Sequence, residues 1–319
     1  MKMNMTGKTN SYKSFKALGG ETWRILRFAD ESDKTWSAFN PSISYSPVQG
    51  YVVMFRSSNY FFDPVARYPV LANGNRVKSR IWIANLDEDF QLVDGSLSEI
   101  AFTNCGMSFK RGAEDGRLFW RDDAWHFTAG LKEESVPLPR IGLFKIDEDL
   151  NAKLVEVMDS EGLMDVEKNW MATYEPNSSF DYIYSATHIY KNGLKKVREA
   201  SDETKGIRGG SPLWMLDDKS YLTIVHRSHD FIDYGYNARK FSYGPLPRRE
   251  YAHMFARYSK NGVLTGLSDE FIFEHAGVEF AAGLVVSGSD VIVSYGYKDV
   301  ASYLGKISLS TVMEMIKDV

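Results

Sequence analysis

Residues Gly112 to Gly130 read GAEDGRLFWRDDAWHFTAG. Two adjacent acids, Glu114 and Asp115, stand immediately before an apolar strand, an acidic turn and a second apolar strand. Arg117–Trp120 and Trp125–Ala129 are rich in the aromatic and branched residues that suit a pleated surface, and Arg121-Asp122-Asp123 is a turn signal between them. The stretch therefore predicts a hairpin with its chemistry at one end. Taken alone, the two acids could equally be solvated turn residues paired with Arg111 or Arg117. The recurrence of the layout along the chain argues for more.

The first unit opens at FNPSISYSPVQGYVVMFRSSNY. It sets strands at Ser42–Tyr45 and Tyr51–Phe55, with Arg56, Asn59 and Tyr60 where the second strand ends, and runs on to IWIANLDEDFQLV. The Gly112–Gly130 hairpin opens the second unit, which ends in IGLFKIDEDLNAKLVEV, the same phrase of apolar strand followed by an Asp-rich turn. The third unit begins at EKNWM (Glu167, Lys168, Asn169). The fourth is RGGSPLWMLDDKSYLTIVHRSHD, turning at Asp217-Asp218, and the fifth is GVEFAAGLVVSGSDVIVSYGYKD, turning at Ser287–Asp290. Residues 1–35 read as a lead-in with one strand, Trp23–Phe28, that would close a sheet. Ser310–Ile316 reads as a short helix.

Five units of about four strands, spaced by roughly 45 to 60 residues, predict an all-β fold: a five-bladed β-propeller over residues 36–319 with a short C-terminal helix. The alternative is a two-sheet sandwich with charged loops. In a propeller the starts of the innermost strands converge on one depression. That would gather Asn40, Glu114, Asp115, Lys168, Asn169, the Gly209–Ser211 turn and Glu279, with Arg56, His226, Arg227 and Asp299 from neighbouring strand ends.

Composition narrows the chemistry. Of 319 residues, 25% are charged and 14% aromatic, and the net charge of −4 gives no footprint for nucleic acid. Cys105 is the only cysteine, so neither a disulfide framework nor a thiolate metal cluster is expected. The six histidines form no HExxH pattern, no phosphate-binding loop follows Gly209-Gly210, and no serine has a GxSxG context. No metal or cofactor is expected. The N-terminus lacks the apolar core of a signal peptide, and no run reaches the roughly 18 apolar residues of a membrane span, so a soluble, cytoplasmic protein is expected. What remains is carboxylates, arginines, a lysine and aromatics. That set suits glycosyl transfer, which needs a proton for the leaving oxygen and fixed charge for an oxocarbenium-like sugar. Asp115 is the candidate acid, with Glu114, Glu279 and Asp299 as supporting carboxylates or base. Arg56, Lys168 and Arg227 are candidates to hold phosphate.

The motif set resembles glycoside hydrolase family 130, the five-bladed propellers of inverting mannoside phosphorylases and mannosidases, and related propellers. The pieces are NPSI (Asn40–Ile43), FRSSNY (Phe55–Tyr60), EDGRLF (Glu114–Phe119), EKNWM (Glu167–Met171), RGGSP (Arg208–Pro212), VHR (Val225–Arg227), GVEFAAGL (Gly277–Leu284) and SYGYKD (Ser294–Asp299). The resemblance implies a catalytic aspartate at Asp115, acting through a sugar hydroxyl while phosphate attacks the opposite face. It implies sugar or phosphate contacts at Asn40, Arg56, Lys168, Asn169, His226 and Asp299. The same motifs add Asn59, Tyr60, Arg117, Arg227 and Tyr295 as candidate contacts. Gly116 stands where the phosphorylases carry proline, and the insertion Ser228–Arg249 has no counterpart. The function expected is transfer of a mannose-like glycosyl group to or from phosphate or a phosphate-linked donor, such as a nucleotide sugar. An inverting hydrolase and a non-catalytic carbohydrate-binding propeller are the alternatives.

Overall fold

The computed structural model describes residues 12–30, 33–62, 69–71, 76–103, 109–131, 140–158, 169–174, 181–185, 188–191, 194–197, 204–232 and 247–319. Nearly all of its regular structure is β, with one α-helix of seven residues, Leu309–Met315. Ser308 caps that helix, its hydroxyl accepting from the Thr311 amide at 3.1 Å, and Val312 buries the apolar side. A single 3₁₀ turn, Lys16–Leu18, precedes the strands.

Among the described residues, strands form five sheets of four or more members and one two-stranded ribbon, Tyr60–Phe62 with Pro69–Leu71. The first sheet runs Ser37–Ser46, Gly50–Ser58, Ser79–Asn85 and Ser98–Glu99. In the second, Ala113–Arg121 pairs with Ala124–Leu131, then Arg140–Ile146 and Asn151–Met158 follow. The hairpin turns at Asp122-Asp123, both at positive φ, the backbone that a two-residue turn between twisted strands requires. The third sheet is Met171–Ala172, Tyr182–Ser185, His188–Lys191 and Leu194–Val197. The fourth centres on a long hairpin, Tyr221–Ile232 with Pro247–Tyr258, paired as far as Ile232 and Pro247, so both ends of the Ser228–Arg249 insertion continue its strands. The fifth is Glu279–Ser287, Asp290–Tyr297 and Ala301–Ser308, with Glu21–Leu26 added along its outer edge.

Each antiparallel meander has two apolar faces, because alternate side chains point opposite ways. On Gly50–Ser58, Val52 and Met54 join a core shared with Leu118 and Phe127 of the second sheet, whereas Val53 and Phe55 join one shared with Val285 and Ile292 of the fifth. The same division recurs around the molecule. Phe119 and Leu143 meet Trp170 and Tyr182, Met171 and Ile183 meet Tyr221 and Val225, and Leu222 and Phe255 meet Leu284 and Val293. The cores thus join sheet one to two, two to three, three to four, four to five, and five back to one.

The Asp-rich phrases are one local device used twice. Asp87 Oδ1 accepts the amides of Asp89 and Gln91 at 3.0 and 2.8 Å, and Asp147 Oδ1 accepts those of Asp149 and Asn151 at 3.1 and 2.8 Å. Phe90 and Leu150 take matching left-handed conformations. No helix of the described residues is long and apolar enough to cross a membrane.

Candidate active site

Three inner strands carry a bulge near their start, between Phe39 and Ser42, Glu114 and Arg117, and Ala281 and Gly283. A bulge puts one extra residue on a strand and re-aims its side chain. Asn40 (φ 49°) and Asp115 (φ 52°) occupy two of these bulges in the left-handed region. Asn169 (φ 64°) and Asp299 (φ 54°) adopt the same conformation in other sheets. Left-handed backbone is uncommon for residues other than glycine, and asparagine and aspartate adopt it most readily.

The inner strands also touch directly. The Ser42 hydroxyl donates to the Ala282 carbonyl at 2.8 Å and accepts the Leu118 amide at 2.9 Å, tying first, fifth and second sheets together. Beside this junction, Asp115 Oδ1 accepts from Asn40 Nδ2 (2.8 Å) and Arg56 Nη1 (2.9 Å). Arg56 Nη2 lies 3.1 Å from Glu114 Oε1, and its Nε donates to Ser79 at 3.0 Å. The Arg56 guanidinium lies 5.3 Å from the Phe39 ring centroid, and Phe39 also packs on Tyr60. The Tyr60 hydroxyl donates to Asp299 Oδ2 at 3.0 Å.

Arg56 is 5% exposed. Burial works against its charge, but Asp115 and Glu114 outweigh that and hold the guanidinium firmly protonated. Asp299 loses hydration and faces Asp115 and Glu114. Despite Arg56 and the Tyr60 hydrogen bond, its carboxyl is pushed up to about 6. Burial, then the Asp299 charge, raises the Tyr60 phenol well above its ordinary value.

Arg117 occupies the floor of the site, 1% exposed. Its Nε donates to the Gly210 carbonyl (2.6 Å), Nη1 to the Asp115 carbonyl (3.0 Å) and Nη2 to Asn169 Oδ1 (2.8 Å), and its guanidinium lies 5.3 Å from the Phe280 ring. His226 packs edge-on against Phe280 and Tyr251, both at 5.2 Å, and its buried Nδ1 has no hydrogen-bond partner among the described residues. Burial, with His253 and Arg117 nearby, depresses the His226 imidazole well below its ordinary value, so it is neutral at neutral pH.

Asn40, Arg56, Tyr60, Glu114, Asp115, Arg117, Asn169 and Asp299 are therefore brought together, with His226 on one flank. Four candidates lie elsewhere. Asn59 holds the 76–78 segment, donating to the Arg76 carbonyl and accepting the Lys78 amide. Arg227 pairs with Glu270, which also contacts His229, because the residue after His226 on a strand points to the opposite face. Glu279, 1% exposed, accepts the amides of Phe273, Glu274 and His275 at 2.8 to 3.0 Å and acts as a backbone clamp. Tyr295 is buried against Phe273, rings parallel at 3.9 Å. Lys168 lies outside the described residues. Sequence reasoning missed Phe280, Tyr251 and Ser79. The aromatic after Glu279 and the tyrosine two before His253 were visible, but nothing in the sequence gave the register that joins them. Among the described residues no three His, Cys, Asp or Glu side chains are grouped to hold a metal ion.

No protein-family model matches the chain, and none of the curated proteins does. Among solved structures it is similar to the β-1,2-mannobiose phosphorylase from Listeria innocua in complex with β-1,2-mannobiose, at TM-score 0.62 and 14% identity over 92% of this chain and 99% of that one. It is similar to a mannose phosphorylase from Leishmania mexicana in complex with a phosphate ion (TM-score 0.55, 11% identity, 94% and 92% covered). It is also similar to a GDP-Man-dependent mannosyltransferase from Leishmania mexicana (0.54, 12%, 90% and 89%). At these identities the likeness is one of fold, and the chain carries the fold that these mannoside phosphorylases share with the mannosyltransferase.

Proposed function

We propose that the chain is a five-bladed β-propeller enzyme that transfers a mannose-like glycosyl group with inversion, using Asp115 as general acid and phosphate or a phosphate-linked sugar as the second substrate. The cyclic order of the five cores supports the propeller, with the sheets as blades and the Asp115 cluster where their inner strands begin. The observation that carries the function is the grip of Asn40 and Arg56 on one oxygen of Asp115 at that meeting point. A proton donor in glycosyl transfer must be held in one orientation, and two donors on Oδ1 fix the plane of the carboxyl group.

In this reading Asp115 delivers a proton through a sugar hydroxyl to the leaving oxygen. The bond from the anomeric carbon to that oxygen breaks as a phosphate oxygen bonds to the opposite face. Arg227 pairs with Glu270, and neutral His226 can donate a hydrogen bond to phosphate without adding charge; Lys168 remains a candidate phosphate contact on its sequence motif alone. Mannose-like substrates are inferred from the proteins of similar fold.

One observation favours a second reading, an inverting hydrolase. Asp299 is a second carboxylate beside Asp115 with a pKa near 6, and it could serve as base toward water where Glu279, clamped by three amides, cannot. Product analysis with sugar 1-phosphates, nucleotide sugars and β-linked manno-oligosaccharides, with and without inorganic phosphate, separates the readings. Turnover that needs phosphate, or transfer from a nucleotide sugar, supports the transferase. Phosphate-independent release of free mannose supports the hydrolase, and binding without turnover across the panel overturns both.

A further inference from the structure

Arg117 was expected to touch substrate, but its surroundings point to another task. Its guanidinium is buried, and three of its donor directions are each taken by an oxygen of a different sheet or sheet end: the Asp115 carbonyl, the Asn169 side chain and the Gly210 carbonyl. Two of those three partners stand in left-handed backbone, and the third has no room for a side chain. A Cβ on Gly210 would collide with the Ile224 carbonyl oxygen. The Phe280 ring of the fifth sheet covers the guanidinium.

We propose that Arg117 is a positioning residue that fixes the strained backbone of Asp115 and locks it to the ends of the third and fourth sheets. This deepens the proposed function and rests on Asp115 being the acid. The physical case is one of geometry and charge. A left-handed aspartate in a bulge is strained, and it persists only where its surroundings determine it. The carbonyl of Asp115 lies at the bulge, and the guanidinium donates to it at 3.0 Å, tying the side chain of Arg117 to the backbone two residues before it. Burial lowers the Arg117 guanidinium to about 10, opposed by the Asp115 charge, so it remains a cation at neutral pH. Its planar fork reaches three oxygens at once, which a lysine ammonium on a flexible stem cannot reproduce. Asp115 and Asn169 are thereby held as one unit: a shift of either is felt by the other through a single side chain.

The test compares Arg117→Met and Arg117→Lys with wild type by crystallography and, on whichever substrate of the panel turns over, by kinetics. In Arg117→Met we expect Asp115 to leave positive φ and its carboxylate to lose the Arg56 contact. We expect kcat to fall about 100-fold with KM within about threefold, as for a misplaced catalytic group. Arg117→Lys, which keeps the charge, should lie between. Adding Arg117→Met to Asp115→Asn should then cost nothing further in kcat, since the first change acts through the second. An unmoved Asp115 in Arg117→Met would overturn the proposal, and if that variant does not fold, an unmoved Asp115 with wild-type kcat in Arg117→Lys would do the same. A loss confined to KM would instead make Arg117 a substrate contact and overturn it as well. If wild type turns over nothing in the panel, the proposed function has failed, and the position of Asp115 in the variant crystals still decides whether Arg117 holds it.

Discussion

Asp299 shows how much of this site is decided one residue at a time. Its carboxyl is pushed up to about 6 by lost hydration first, then by Asp115 and Glu114, with Arg56 and Tyr60 pulling the other way. An aspartate titrates near 3.9 in an unfolded chain. The folded state therefore binds this proton more tightly, and the stability it contributes is fully present below about 3.9 and is lost as pH rises through about 6. Asp299→Asn removes that loss, so calorimetry should show the Tm of the variant gaining on wild type by a few °C between pH 5 and pH 8. A Tm difference that stays flat over that interval would contradict the charge balance drawn for the cluster. The residues that reached the site, Asn40, Asp115, Asn169 and Asp299, were legible in the sequence because each sits beside a recognisable strand start or turn. Arg227 and Glu279 stand next to His226 and Phe280, and strand alternation or a nearby loop takes their side chains to other partners, while Tyr295 stacks on Phe273.

At the scale of strands, the bulges matter more than the ladders. The sequence located the Gly112–Gly130 hairpin and its turn, but placed Glu114 and Asp115 before the strand. They lie inside Ala113–Arg121, in its irregular first turn of pairing. An apolar alternation cannot reveal a bulge, because the extra residue carries no signature until its partner strand is known. The bulge at Asn40 depends on one such neighbour. A Cβ on Gly296 would collide with Asn40 Oδ1 and lie 2.6 Å from the Asn40 amide nitrogen. Gly296→Ala should therefore push Asn40 off Asp115, cost about 1–3 kcal/mol in denaturant unfolding, and lower kcat. A variant with wild-type stability and an unchanged Asn40–Asp115 hydrogen bond would show that this close approach is not what seats the amide.

Across the whole molecule, the N-terminal segment ties the fourth and fifth sheets together. Glu21–Leu26 pairs along Ala301–Ser308, Lys13–Ser14 pairs with Phe271–Ile272, and Phe15 is fully buried among Phe271, Phe273 and the fifth-sheet core. The sequence pointed to a closing strand at Trp23–Phe28, about two residues late, but gave no sign that Phe15 anchors it, since a lone phenylalanine in a polar lead-in has no periodicity to read. A chain beginning after Asp30 should lose cooperative thermal unfolding, and a wild-type Tm for it would mean that the fourth and fifth sheets hold together without this segment. The central claim is nonetheless chemical, that Asp115 at the meeting point of the five sheets gives up the proton in glycosyl transfer. The most direct measurement is kcat for Asp115→Asn beside wild type at saturating substrate, with ligand binding followed by calorimetry. The account predicts turnover lower by at least about 100-fold, the low end of a general acid's contribution, with sugar binding and Tm retained. Wild-type turnover in Asp115→Asn would contradict it.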